Sequence, residues 1–533
     1  MATIIIATLM AVAPTASLII NLEKVFCRLK AIRFAMKTET FKRRNFCYLT
    51  NVFYLNVFKD NMVKVEIGNA VQEGDARPNA SSNDSCGIEC SSGRARLFRK
   101  EQKARTKKKK YFLLFIICFL LSAPVFSQMG DAVYNDNIKA VRFHMYGDQR
   151  SLPVYKINSN DQLELNFDDL EANVKSYYYS FQLCDYDWKP VDISPFLYTK
   201  GFTQQRIATY RYSSIALTKY THYQALVPDR NTSLTMSGNY ILKVFLNGDT
   251  SKLAFTRRML VLEQKASIGG QVVQPFTPQL YKTHQKIQFS ANINGLNTFS
   301  AAQQIKVVIL QNNRWDNSIK DIKPTFVRGN SLEYNIENNL VFPSGKEWRW
   351  LDLRSFRLQS DRVKKADYKK TSTDMYLFTD ADRTAQRYIY FRDLNGMYLV
   401  ETYETINPYW QGDFATVHFS LAAPNGTAYT NKDIYLAGQL TNYEFSDKTK
   451  MVFNAEKGVY EVTAFLKQGY YNYTYIAVDK NNSADRRDLE GDYWETENGY
   501  TILMYYRSFT DRADQLIGVG KVNSRTDKPG ISF

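Results

Sequence analysis

The side chains able to do chemistry in this sequence are few and scattered. Its four histidines, His144, His222, His284 and His418, share no short spacing that would present two ligands to one metal ion. His222 in "YTHYQALVP" and His418 in "ATVHFSL" occupy strand-like alternation, which makes each a structural or surface histidine. Carboxylates cluster at Asp168-Asp169-Glu171, Asp185-x-Asp187 and Asp380-x-Asp382, where calcium or a general acid/base pair would find partners. None of these sits in the long oxygen-rich loop of a dedicated calcium site, and Asp-rich turns commonly close strands. Cys184 alternates within an apolar run and reads as a small buried side chain. Cys86 and Cys90 have a ligand-like spacing, but no second pair follows them. Trp188, Trp348, Trp350 and Trp410 have the size to stack on sugars, although such residues more often fill sandwich cores. No nucleophile elbow, phosphate loop or dinucleotide fingerprint occurs. These residues predict a non-enzymatic protein with no cofactor and no metal.

The elements that must position them are strands. In "DQLELNFDDL", Leu163, Leu165 and Phe167 alternate with polar residues. In "KSYYYSFQLCDYDW", Tyr177, Tyr179, Phe181 and Leu183 share one face, with Ser180, Gln182 and Cys184 on the other. Asn247-Gly248 separates two strand-like runs, a hairpin signal because both residues tolerate a positive φ. Further runs include "HQKIQFSANI", "QIKVVILQN" and "QRYIYFRDLNGMYLV", then a series from "DIYLAGQL" to "YNYTYIAV" broken at Glu456-Lys457-Gly458 and Gln468-Gly469. The final strand is expected at or just beyond "GYTILMYYRS". No long amphipathic helix interrupts them. The expected fold is all-β, three immunoglobulin-like or early-set-like sandwiches in series at residues 128–264, 265–405 and 406–525, with a tail at 526–533.

One segment sets where that protein starts. In "RTKKKKYFLLFIICFLLSAPVFSQ", four lysines precede an eleven-residue apolar run, Tyr111–Leu121. At about 1.5 Å per residue such a helix spans roughly half of a ~30 Å hydrocarbon core. Val125 and Ser127 stand at the −3 and −1 positions of a signal-peptidase site. Residues 105–127 therefore read as a secretory signal cleaved between Ser127 and Gln128. Residues 1–104 show no sustained period and read as translated upstream sequence or a disordered extension. Residues 1–127 hold 21 of the 69 Lys+Arg and 9 of the 53 Asp+Glu, so the formal charge of +16 falls to +4 beyond them. A nucleic-acid partner loses its support, because phosphate binding needs a concentrated basic face. Cys184 is the only cysteine after residue 127, which excludes an intramolecular disulfide in the exported chain. No later run reaches membrane-spanning length, so the chain is not expected to span the membrane once the signal is removed.

The segment "NIKAVRFHMYGDQRSLPVYKINSNDQLELNFDDLEANVKSYYYSFQLCDYDWKP" resembles the opening of the type IX secretion system plug proteins of Bacteroidetes. The likeness continues through "FLYTKGF", "YTHYQALVP" and "SGNYILKVFLNGDTSKLAFTRRMLVLE" and returns in "ETYETINPYWQGDF". It implies a non-catalytic periplasmic protein at the outer membrane that binds the giant translocon barrel and closes its periplasmic mouth when no substrate is engaged. It implies no nucleic-acid partner and no small-molecule substrate. A second likeness lies in "IYLAGQLTNY" and "VYEVTAFLKQGYYNYTYIAV", which are similar to the early-set fold of glycogen-binding modules. Those modules carry a tryptophan near Tyr443 and often a lysine where Thr474 stands. Two rival functions follow. One is a carbohydrate-binding protein stacking sugars on Tyr443, Tyr471 and Tyr473. The other is a glycoside hydrolase working through two of the Asp clusters.

Overall fold

In the computed structural model, residues 130–293, 296, 298–481 and 486–527 are described, and they belong to one unit spanning Ala123–Phe533. The expected signal segment, with its proposed cleavage between Ser127 and Gln128, and the end of the tail lie outside the described residues. The described chain is all-β, built of several sheets with only helical turns of three or four residues between them.

The first core is enclosed by strands that the alternation anticipates. They are β1 (Ala132–Val133), β2 (Ile138–Met145), β3 (Val154–Lys156), β4 (Leu163–Asp169) and β5 (Tyr177–Cys184). Helix α1 (Pro195–Tyr198) precedes β6 (Thr199–Gly201), β7 (Gln204–Arg206), β8 (Thr209–Tyr212) and β9 (Thr221–Val227). β10 (Thr232–Leu234), β11 (Gly238–Leu246) and β12 (Leu253–Leu262) complete the set. A sheet ordered β2-β4-β9-β8 packs on the β12-β11-β5-β7 part of a larger sheet. Between them lie Leu163, Leu165 and Phe167 with Tyr177, Tyr179, Phe181 and Leu183, the two faces read from the sequence. Removing one such apolar side chain from water contributes about 1.5–3 kcal/mol. The Asn247-Gly248 hairpin forms as expected, both residues at positive φ, between β11 and β12.

The second core is built by β13 (Ser267–Val273), β14 (His284–Asn292), helix α2 (Ala301–Gln304) and β15 (Ile305–Gln311), followed by β16 (Phe326–Arg328), β17 (Ser331–Tyr334) and β18 (Val341–Pro343). The third uses β19 (Arg349–Asp352), β20 (Val363–Tyr368), β21 (Thr373–Leu377) and β22 (Tyr398–Leu399), then helix α3 (Pro408–Gln411) and β23 (Phe414–Ala422). It also takes β24 (Lys432–Ala437), β25 (Val452–Asn454), β26 (Val459–Lys467), β27 (Tyr470–Asp479) and β28 (Arg486–Asp488). The chain ends in the hairpin β29 (Gly499–Tyr506) and β30 (Gln515–Asn523).

Strand pairing does not follow the expected boundaries at 264 and 405. β19 and β22, from the stretch assigned to the second sandwich, pair with β27. The terminal hairpin, from the stretch assigned to the third, pairs with β15 and reaches β12 through Leu262 and Leu516. One nine-stranded sheet, β15-β29-β30-β12-β11-β5-β7 with β1 and β3 on β12, thus runs from the second core into the first. Its face away from those cores buries Ile241, Leu260, Val308, Leu503 and Leu516 together. Alternation identifies the face a strand buries but carries no information about its ladder partner.

A second difference concerns "QRYIYFRDLNGMYLV", expected as a strand. Only Tyr398–Leu399 joins a ladder. Before it, side chains take up backbone amides of the segment: Leu394 N–H donates to Asn472 Oδ1, and Asn395 N–H donates to Asp393 Oδ1 at 2.9 Å. A segment whose amides are satisfied this way does not require a neighbouring strand.

Candidate functional site

Strand β4 buries both of its faces. The face opposite Leu163, Leu165 and Phe167 carries Glu164, Asn166 and Asp168, and it is covered by the third body rather than by water. Antiparallel pairing sets His222 of β9 opposite Asp168. His222 Nδ1 lies 2.8 Å from Asp168 Oδ1, while its Nε2 faces Asn166 Oδ1 at 3.2 Å. Lys467, the last residue of β26, donates from Nζ to Asp168 Oδ2 at 2.5 Å and also to the Tyr409 carbonyl. The amine lies over the Tyr220 ring at 4.2 Å, and the His222 ring stacks on Tyr409. Burial pushes His222 below its ordinary value, with Asp168 pulling the other way. It likewise lowers Lys467, which the Asp168 carboxylate counteracts.

A histidine, a carboxylate and an amine in line could carry a proton relay. Here both ring nitrogens already face protein oxygens, and all three side chains are almost fully buried. What the arrangement does chemically is hold a charge pair in the seam between the first sheet and α3–β23–β26. Adjacent bonds lengthen that seam. Asp413 accepts from Leu217 and Thr218 N–H, and Tyr220 Oη donates to the Gly412 carbonyl. Gln149 and Val400 exchange a pair of hydrogen bonds.

The remaining candidate residues fall elsewhere. Asp169 accepts from Tyr177 Oη and pairs with Lys175, which also holds Glu171. Asp185 caps its own turn by accepting from Asp187 and Lys189 N–H, while Asp187 pairs with Lys320. Asp380 is buried among Arg349, Arg362, Tyr473 Oη and Tyr475 Oη. Asp382 caps the following turn at Thr384. No two clusters form an open carboxylate pair. His418 stacks on Tyr376 and bonds Asp374, and His144 and His284 make only local bonds. Cys184 is buried, which pushes its thiol up to about 12. Trp188 packs edge-on against Trp315 beneath Arg258, while Trp410 lies against His222 and Arg211. Among the described residues no group of three or more His, Cys, Asp and Glu could hold a metal ion.

The expected sugar-stacking platform needs correction. Tyr471 and Tyr473 are 2% and 0% exposed, on the face of β27 that points into the third core. Their hydroxyls donate inward, to the Lys467 carbonyl and to Asp380. Tyr443 packs apart from them, against Trp348 and Arg314. Strand alternation puts residues two apart on one face, and that face is the buried one.

Two features escaped the sequence reading. One is the buried basic set Lys467, Arg142 and Arg257, which stand in strands of mixed polarity where the sequence does not distinguish a buried charge from an exposed one. The other is the free side of the first body. β7 and β8 are the edge strands of its two sheets and are joined by only Ile207-Ala208, so both edges open on the same side. All four residues of β8 are exposed, and the nearby helix α1 and loops expose Phe196 (77%), Phe202 and Ile215 (76%). Among the described residues no helix is long and apolar enough to cross a membrane.

Comparison with known proteins adds the following. A family model described as the type 9 secretion system plug protein 1st domain matches residues 138–263, the stretch of β2 to β12. A crystal structure of a hypothetical protein from Parabacteroides merdae superposes with a TM-score of 0.71 at 30% identity, covering 74% of this chain and all of that one. Trypsin-activated alpha-2-macroglobulin from Escherichia coli aligns at a TM-score of 0.14 and 10% identity over 74% of this chain and 35% of that chain, too little to carry an argument. No curated protein matches the chain.

Proposed function

We propose that this chain, whose residues 138–263 match the type 9 secretion system plug protein 1st domain, is the non-catalytic periplasmic plug of that system. It binds the outer-membrane translocon barrel and closes the barrel's periplasmic opening while no substrate is engaged. The observation that carries this reading is the family match itself, which covers the body whose edges are free.

The geometry suits a reversible contact. An edge strand offers unpaired N–H and C=O groups to another strand, and rigid exposed aromatics beside it provide anchors. β8 supplies the first, with the Tyr210 and Tyr212 rings side by side on one face, and Phe196, Phe202 and Ile215 supply the second. The seam around Lys467 holds the opposite side of the β8–β9 loop in place, so the edge is presented on a fixed scaffold.

Pull-down of the tagged protein from outer-membrane extract tests the proposal. Recovery of a very large barrel protein is the expected result. Its absence, together with retention on glycan, would favour a carbohydrate-binding protein instead. Deletion should also leak large solutes across the outer membrane only in cells that contain the translocon. Unchanged permeability in cells with unoccupied translocons would remove the gating role.

A further inference from the structure

A cavity of about 610 Å³ lies where strands of the first body, the 312–320 segment of the second and the 439–443 turn of the third meet. Its wall is rich in cations, and most are paired. Arg258 holds Asp131 at 3.2 Å, Arg314 holds Asp316 at 2.7 Å and Lys320 holds Asp187 at 2.6 Å. Two are different. Arg142 and Arg257 are 3% and 8% exposed, and among the described residues neither lies within ion-pairing distance of a carboxylate.

Their few contacts are neutral. Arg142 donates to Gln439 Oε1 at 2.6 Å and to the Gln149 carbonyl, rests over the Tyr398 ring, and leaves its Nε without any partner. Arg257 donates to the Thr256 and Ala132 carbonyls. Burial pushes the Arg257 guanidinium below its ordinary value; Asp131 raises it from a distance, as does Glu444, and Arg142 lowers it. An arginine keeps its charge in proteins, so a buried one without a counter-ion is costly unless an anion joins it.

The backbone is also irregular here. Opposite β4, β2 carries a register shift between Lys139 and Arg142, with Ala140 at a φ of 49°. Bulges of this kind re-aim the side chains that follow, and Arg142 is the residue that resumes the ladder. On β12, Arg257 stands on the face of Phe255, Met259 and Val261, a position otherwise given to the apolar core.

We infer that this cavity is an oxyanion site, in which a small carboxylate or phosphate is held by the guanidinium groups of Arg142 and Arg257. Guanidinium forks match both groups bidentately, and the aromatic wall of Trp315, Tyr398 and Tyr443 limits competition from water. This inference concerns a ligand inside the molecule and does not depend on the translocon contact.

Calorimetric titration of the full chain at low ionic strength, with inorganic phosphate in one arm and succinate in the other, tests it. Saturable binding with a Kd of about 1 mM or tighter is expected for at least one probe, and the tighter arm identifies the anion class. Arg142→Met and Arg257→Met should each weaken that binding at least about tenfold. A wild-type measurement guards against misfolded variants. Phenylglyoxal modification mapped by mass spectrometry should slow at Arg142 and Arg257 when the anion is present. No saturable heat with either probe, or modification rates at both arginines indifferent to the anion, would overturn the site.

Discussion

At the scale of single residues, the seam rests on charges removed from water. Truncating Lys467 leaves the Asp168 carboxylate buried without its amine, beside a histidine that burial holds below its ordinary value. Losing one partner of a buried pair typically costs about 3–5 kcal/mol, chiefly through the charge left behind. Lys467→Met should therefore lower the urea unfolding free energy by about that amount, and adding Asp168→Asn should restore most of it. A single-variant loss below about 1 kcal/mol would mean that the pair is solvated in solution. Asp393 gives a pH signature of its own. Burial pushes its carboxyl up to about 7, so in folded chains it keeps a proton that unfolded chains release near pH 4. Between those values stability contributed by this group falls as pH rises. Asp393→Asn should gain on the wild type as pH goes from 5 to 8, read from unfolding midpoints at each pH. An unchanged difference would contradict the burial of that carboxyl. The residue types at these places were legible, but their meeting was not. His222 is 54 positions from Asp168, and Lys467 is 299. Spacing along a chain reports neighbours within an element, and these three belong to strands brought together only by packing.

At the scale of elements, β8 is the place where the proposed function is most exposed to test. Tyr212 and Ile215 are solvent-facing, so Tyr212→Glu and Ile215→Glu should shift stability by no more than about 0.5 kcal/mol. The same changes should weaken capture of the barrel at least about tenfold, measured by quantitative pull-down, because a charge at a desolvated anchor opposes binding. Wild-type capture by the double variant would move the contact to another face. Strand identity was well read where apolar and polar residues alternate, as in β4 and β5, and where Asn247-Gly248 marks a hairpin, as between β11 and β12. It was misread at 387–394, where Tyr388, Tyr390 and Phe391 look strand-like. There the Leu394 amide bonds the Asn472 side chain instead of a neighbouring strand. β-propensity describes fit to a pleated, half-buried surface, and such a surface has to be supplied by the rest of the chain.

At the scale of the whole molecule, the terminal hairpin joins what the sequence separates. β29 and β30 supply Tyr500, Ile502, Met504 and Ile517 to the second core, whose other strands end near residue 343. Ending the chain at residue 498 should therefore unfold that core while its own residues 267–343 stay intact in sequence. Limited proteolysis should cut the truncated protein rapidly within 267–343, and resistance there equal to the full chain would show that the hairpin is dispensable. By itself the sequence determined the all-β class, the inward faces of the strongest strands, the Asn247-Gly248 hairpin and a likeness to the plug family. Each of these depends on side-chain period, turn chemistry or extended similarity, which a linear string carries. Only the tertiary structure decided that the terminal hairpin extends the sheet of the first body and that Tyr471 and Tyr473 face inward. It alone brought together Lys467, Asp168 and His222, and placed Arg142 and Arg257 on one cavity. These depend on which buried face meets which, a choice made by shape and charge complementarity between elements hundreds of residues apart.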